Sequence, residues 1–168
     1  MKHKYHKWNR VKEYLFNNPS NTKTVRQISK NTNTPVTTTQ RYLKVLKENN
    51  IIDKENNLKN TPYTKFLKTM FIIDKIHTSG LLDYLTEKLT PDTIILFGSI
   101  RKGEYTKESD LDMFIQTSTK KKLSLSKFEN TLNHKIDLFI ESNISNLPKQ
   151  LQNNIINGIK LQGYLKIK

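Results

Sequence analysis

The sequence predicts a chain that is α+β overall, with a helical front module, a helical connector and a closing domain of short strands and helices. Three observations predict it. Apolar residues recur at helical spacing from Trp8 to Leu46, a second helical pattern runs from Pro62 to Thr90, and short β-branched and aromatic runs follow Ile94. At 168 residues the chain can hold one ordinary domain or two small ones. The boundaries fall at 1–61, 62–90 and 91–168.

In the front module, Trp8, Val11 and Leu15 mark a first helix that breaks at Asn17-Asn18-Pro19-Ser20. Thr24 is placed to cap a second helix, whose Val25 and Ile28 face inward, and Asn31-Thr32-Asn33-Thr34 is its turn. Pro35 opens a third helix. Its inward stripe is Val36, Thr39, Leu43 and Leu46, and Thr37, Thr38, Gln40, Arg41 and Lys44 project outward. Ile51-Ile52-Asp53-Lys54 and Leu58-Lys59-Asn60-Thr61 then read as two short strands around the turn Glu55-Asn56-Asn57.

The connector begins at Thr61-Pro62, a cap and first helical position. Its apolar stripe carries Tyr63, Phe66, Leu67, Met70, Ile73 and His77, and is read as core or as a homodimer contact. Gly80 ends this helix, and Leu81, Leu82, Leu85 and Leu89 continue at helical spacing to Pro91. The two modules are therefore expected to be mechanically joined.

Beyond Ile94, the runs Ile94–Phe97, Leu111–Ile115 and Ile136–Ile140 are three strands. Ser126-Lys127-Phe128-Glu129 has a capping-box pattern ahead of Phe128 and Leu132, and Pro148 to Asn157 is a further helix ended by Gly158. Strands alternating with helices after an all-helical start point to an α/β or α+β domain of catalytic size.

Composition narrows the function classes. Cysteine is absent, which excludes disulfides and thiolate metal sites, so any metal must be held by oxygen. No apolar run approaches the roughly 20 residues of a bilayer crossing, and the N-terminus lacks the apolar stretch of a secretory signal; a soluble, cytoplasmic protein without membrane contact is expected. The net charge of +14 favours polyanionic partners. Residues 1–60 hold 13 Lys and Arg against 4 Asp and Glu, a net of +9, so the excess lies mainly at the front.

The chemistry is carried by Phe97-Gly98-Ser99-Ile100-Arg101-Lys102-Gly103-Glu104 and Glu108-Ser109-Asp110-Leu111-Asp112. Gly98 permits close backbone approach, Ser99 offers a hydroxyl, and free N–H groups of the following turn favour a phosphate. Asp110 and Asp112 are two apart, so in a strand both point to one face while Leu111, Met113 and Ile115 point to the other. Paired carboxylates repel unless a cation lies between them, and Mg²⁺ prefers such hard oxygen ligands. Asp137 starts the next strand and can supply a third carboxylate if the two strands pair.

At these residues the sequence resembles the minimal nucleotidyltransferases of the DNA polymerase β superfamily, whose pattern is Gly-Ser, ten intervening residues, Asp-x-Asp and a later Asp before apolar residues. Gly98, Ser99, Asp110, Asp112 and Asp137 match it in order and spacing, within residues 94–140. The resemblance implies a small mixed sheet flanked by helices, two Mg²⁺ ions bound by Asp110, Asp112 and Asp137, and an NTP, ATP by expectation, whose triphosphate is held by Gly98 and Ser99. Arg101, Lys102 and Ser109 are further nucleotide-side candidates, with Ser109 also supporting the Asp110 backbone. Family members often carry Arg directly before the glycine matched by Gly103; here Lys102 stands there and Arg101 lies one position earlier, which keeps the charge without the guanidinium fork. Asp137 would also help to deprotonate the acceptor hydroxyl. The resemblance further implies a small helical toxin-like protein partner, as in toxin–antitoxin pairs.

The front module resembles a winged helix-turn-helix, with residues 36–49 as recognition helix and 51–61 as wing. That resemblance implies duplex DNA as partner, with Gln40 and Arg41 reaching base edges and Thr37, Thr38 and Lys44 reaching phosphates. Two functions follow: a nucleotidyltransferase that also binds DNA, or a DNA-binding regulator that uses the second domain for nucleotide sensing or dimerisation.

Overall fold

The computed structural model describes residues 2–19 and 23–166, with side chains from residue 7 onward. The chain divides into two compact units, 1–68 and 69–168.

The first unit holds α1 (Lys2–Asn17), α2 (Val25–Asn31) and α3 (Val36–Glu48). Thr24 caps α2 as its position predicts. Its hydroxyl accepts from Gln27 N at 3.2 Å while the Gln27 side chain accepts from Thr24 N at 2.8 Å, a reciprocal box in which the cap is worth about 1 kcal/mol. Val11, Leu15, Ile28, Tyr42, Leu43, Leu46, Ile51 and Ile52 form one core, and Trp8 stands edge-on to Tyr42 at 4.8 Å. Val36, expected inward, is instead 42% exposed: it is the first residue of α3, and the buried residues of that helix begin one turn later with Thr39, Tyr42, Leu43 and Leu46. The two expected strands after α3 reduce to the single bridged pair Ile52 and Leu58. Asp53 turns the chain there: its carboxylate accepts from Asn57 N at 2.8 Å, and Asn56 adopts φ +66°, so local bonds replace a longer ladder.

The boundary between the units falls inside α4 (Pro62–Thr78). Its buried face is only in part the expected one: Leu67 packs against the first core and Ile73 is half-buried. Tyr63, Phe66 and Met70 are 57, 55 and 38% exposed and His77 is exposed, whereas Thr64, Lys68, Phe71, Ile72 and Ile76 are buried. Apolar residues surround more than half of this helix, and polar ones can turn inward once their atoms are satisfied: the Thr64 hydroxyl donates to Lys59 O, and Thr69 Oγ1 lies 3.2 and 3.1 Å from the Ile100 and Arg101 carbonyls. α5 (Leu81–Leu89) follows Gly80 and buries Leu81, Leu82, Leu85 and Leu89, as their spacing predicts.

The second unit is built on a four-stranded mixed sheet of order β3-β2-β1-β4. β1 (Thr93–Leu96) pairs antiparallel with β2 (Leu111–Gln116) and β4 (Ile159–Gly163), while β2 and β3 (Ile136–Glu141) are parallel. Between strands lie α6 (Gly98–Arg101), α7 (Ser126–Leu132), a 3-10 turn (Ile144–Asn146) and α8 (Lys149–Ile156). Ile95, Phe97, Phe114, Ile144 and Ile155 fill the core on one face; Ile94, Leu96, Leu111, Met113 and Ile115 alternate onto the other and are fully buried. Ser126 does not cap α7. The Glu129 carboxylate that would complete the box accepts instead from Ile136 N at 3.1 Å, tying α7 to the start of β3. β4 was not foreseen; it depends on Gly158, where a Cβ would overlap the Ile95 side chain and stand 2.7 Å from Leu96 O.

Candidate active site

The edge of β1 is where the site begins. Phe97 N donates to Asp112 O at 3.1 Å, so the chain is still tied to β2 when it turns at Gly98, which has φ +73°. A Cβ at residue 98 would overlap Asp112 Oδ2 and stand 2.9 Å from Cγ. Glycine is therefore required twice, by the left-handed backbone and by the carboxylate lying against it. Ser99 is half-buried, and its carbonyl accepts from Glu104 N at 3.0 Å, closing the loop after α6. Arg101 and Lys102 are both exposed, and Gly103 takes φ +68°.

Ser109 closes the turn that delivers Asp110. Its Oγ accepts from Thr106 N at 3.0 Å, its own N–H donates to Thr106 O at 3.1 Å, and its carbonyl accepts from the buried His134 Nδ1 at 2.8 Å. Leu111 N then donates to Lys135 O at 2.8 Å, which fixes where β2 and β3 start together. In that parallel register Asp112 and Asp137 are Cα partners, and neighbouring strands lie about 4.8 Å apart. Asp110 and Asp137 are exposed and Asp112 is half-buried. Burial first, then the charges of Asp137 and Asp110, push the Asp112 carboxyl above its ordinary value.

The structure thus brings Gly98, Asp112 and Asp137 together directly, with Asp110 close enough for its charge to be felt. Among the described residues, no three His, Cys, Asp or Glu side chains close into a ready metal-ligand set. The donors are nevertheless all carboxylate oxygens that repel one another, a set whose chemistry suits a hard divalent cation. Beside Asp110 opens a polar cleft of about 620 Å³, lined among others by Ser109, Asn130, Asn133 and Lys135. Sequence reasoning did not find Asn130, Asn133 or Lys135, because their place at the site depends on α7 folding back to the start of β3. In the first unit, Thr37, Gln40, Arg41 and Lys44 are exposed on α3 and Thr38 is half-buried. Arg41 rests over the Tyr42 ring at 5.7 Å, and Lys44 lies 3.8 Å from Glu48.

A mixed sheet that sets a Gly-Ser turn against carboxylates from two adjacent strands defines a domain of the nucleotidyl-transfer class. A family model described as "Polymerase beta, Nucleotidyltransferase" matches residues 80–163, half of the chain, and the chain belongs to this family. The match runs from Gly80, ahead of α5, to the end of β4. No curated protein matches the chain. No helix among the described residues is long and apolar enough to cross a membrane.

Proposed function

We propose that the chain transfers a nucleoside monophosphate from an NTP, ATP by expectation, to an acceptor hydroxyl, with Mg²⁺ as cofactor. The observation that carries this reading is the Asp112 carboxylate lying against Gly98 while its strand partner is Asp137. Asp110, Asp112 and Asp137 would hold two Mg²⁺ ions, which when bound neutralise phosphate charge and favour pyrophosphate as leaving group. Gly98 and Ser99 would orient the triphosphate, with the exposed Arg101 and Lys102 supplying positive charge nearby. The acceptor oxygen forms a bond to the α-phosphorus, the bond to the bridging oxygen breaks, pyrophosphate leaves, and Asp137 takes the acceptor proton. Ser109 acts on this geometry through the turn it closes rather than on the substrate.

The first unit is proposed to be a winged helix-turn-helix that binds duplex DNA through α3, with the bridged pair Ile52 and Leu58 at the base of its wing. What supports this is the exposed polar row Thr37, Gln40, Arg41 and Lys44 on a helix whose opposite side is core. A small helical toxin-like protein is a candidate acceptor or partner.

The experiment is incubation with labelled NTPs, Mg²⁺ and a host lysate, comparing the natural chain with Asp137→Asn. Label should enter an acceptor with the former and fall by orders of magnitude with the latter, while nucleotide binding changes less. No labelled acceptor with either protein, despite nucleotide binding, would favour a regulator that only senses nucleotide.

A further inference from the structure

Residues 69–168 hold 14 Lys and Arg against 11 Asp and Glu, a net of +3, and the ten residues 118–127 alone hold four lysines and no acid. Without that segment the second unit would be net negative. The unit's positive excess therefore depends on one segment, which runs from the end of β2 to the first turn of α7. Lys120, Lys121, Lys122 and Lys127 are all exposed.

The loop is anchored on both sides of the lysines. Thr119 N donates to Thr117 Oγ1 at 3.0 Å, and that hydroxyl donates to Leu89 O at 2.8 Å; beyond the lysines, Ser124 N donates to the Tyr84 hydroxyl at 2.9 Å. Leu123 and Leu125 are half-buried, which leaves only part of their apolar surface beside the lysines. Holding the ends lowers the entropy lost when the lysines engage a partner. The nearby Glu87 is hydrogen-bonded by Lys88 at 2.9 Å and also feels the charge of Lys121, so one carboxylate is shared between Lys88 and the lysine run.

We infer that Lys120, Lys121 and Lys122, with Lys127, form a sequence-independent contact for the phosphate backbone of duplex nucleic acid, within the second unit and separate from α3. Residues 117–127 contain no aromatic side chain, and the two rings beside them, Tyr84 and the buried Phe128, pack on each other at 5.1 Å, so the segment offers no free ring to stack on the bases of a single strand and the ligand it fits is a duplex read by charge. The loop leaves β2 at Gln116, whereas Asp110 and Asp112 stand at the other end of that strand, which is roughly 17 Å long at 3.3 Å per residue; Lys127 lies nearer to them, three residues before Asn130 of the cleft.

The test is fluorescence anisotropy of the full chain with two 30-base-pair duplexes of unrelated sequence over a series of salt concentrations. Lys120→Ser, Lys121→Ser and Lys122→Ser are combined, both in the natural chain and in an Arg41→Ala/Lys44→Ala background. The triple change should flatten the plot of log affinity against log salt by about two to three units for both duplexes, and should abolish the binding that remains in the Arg41→Ala/Lys44→Ala background. A triple Lys→Arg variant keeps the charge and should bind like the natural chain, which separates charge from any effect of the serines on folding. An unchanged slope in the serine variant with its melting temperature intact, loss of binding in the arginine variant, or capture by anionic vesicles in place of duplex would each overturn the inference.

Discussion

The Asp112 carboxylate occupies the space that a Cβ on residue 98 would need, with Cγ only 2.9 Å from that position. The turn and the carboxylate are thus a single steric unit. Gly98→Ala should force Asp112 aside and strain a backbone held at φ +73°. A cost of roughly 1–3 kcal/mol is expected from overpacking, visible as a lower melting temperature, together with at least a tenfold loss of Mg²⁺-dependent nucleotide affinity by calorimetry. Full affinity and an unchanged melt would show that the close approach is dispensable.

Asp112 also predicts a pH dependence. Its carboxyl is raised in the fold, by burial first and then by Asp137 and Asp110. A value raised by folding stabilises the protein below the ordinary carboxylate range, and this contribution is lost as pH rises through the folded value. Ionised Asp112 is then a standing cost at neutral pH without metal. In chelator, Asp112→Asn should gain stability relative to the natural chain as pH rises, and Mg²⁺ should stabilise the natural chain more than the variant. Parallel melting curves across the carboxylate range, with no differential Mg²⁺ effect, would remove the proposed role of Asp112.

On α3, Lys44 and Arg41 should differ in kind. Lys44 is exposed, and its 3.8 Å pair with Glu48 is too solvated to hold it back from a phosphate. Lys44→Ala should therefore weaken binding to all duplexes alike and flatten the salt dependence by about one unit. If Arg41 leaves the Tyr42 ring to read a base, Arg41→Ala should cost roughly 1–3 kcal/mol on a selected site and much less on random duplex. Salt-series titrations of both variants on both kinds of duplex check this, and identical behaviour of the two variants would remove the distinction.

By itself the sequence determined the elements whose causes are local. Thr24 capped α2 through Gln27, three residues on; the leucines of α5 were buried at their helical spacing; and Gly98, Ser99, Asp110, Asp112 and Asp137 stood out as a spaced set before any strand was paired. What tertiary structure decided was which distant groups meet. α4 presented apolar residues on more than one side, and burial of Phe71, Ile72 and Ile76 left Tyr63 and Phe66 outside because core area and satisfied threonines outweighed the aromatic stripe. Glu129 looked like half of a cap until β3 offered it the unpaired N–H of Ile136. Asp112 reached Asp137 only through the parallel register of β2 and β3, and lay against Gly98 only through the antiparallel register of β1 and β2. Spacing along a chain fixes which face of its own element a residue takes, whereas strand register, a property of two segments at once, decides which charge it must face.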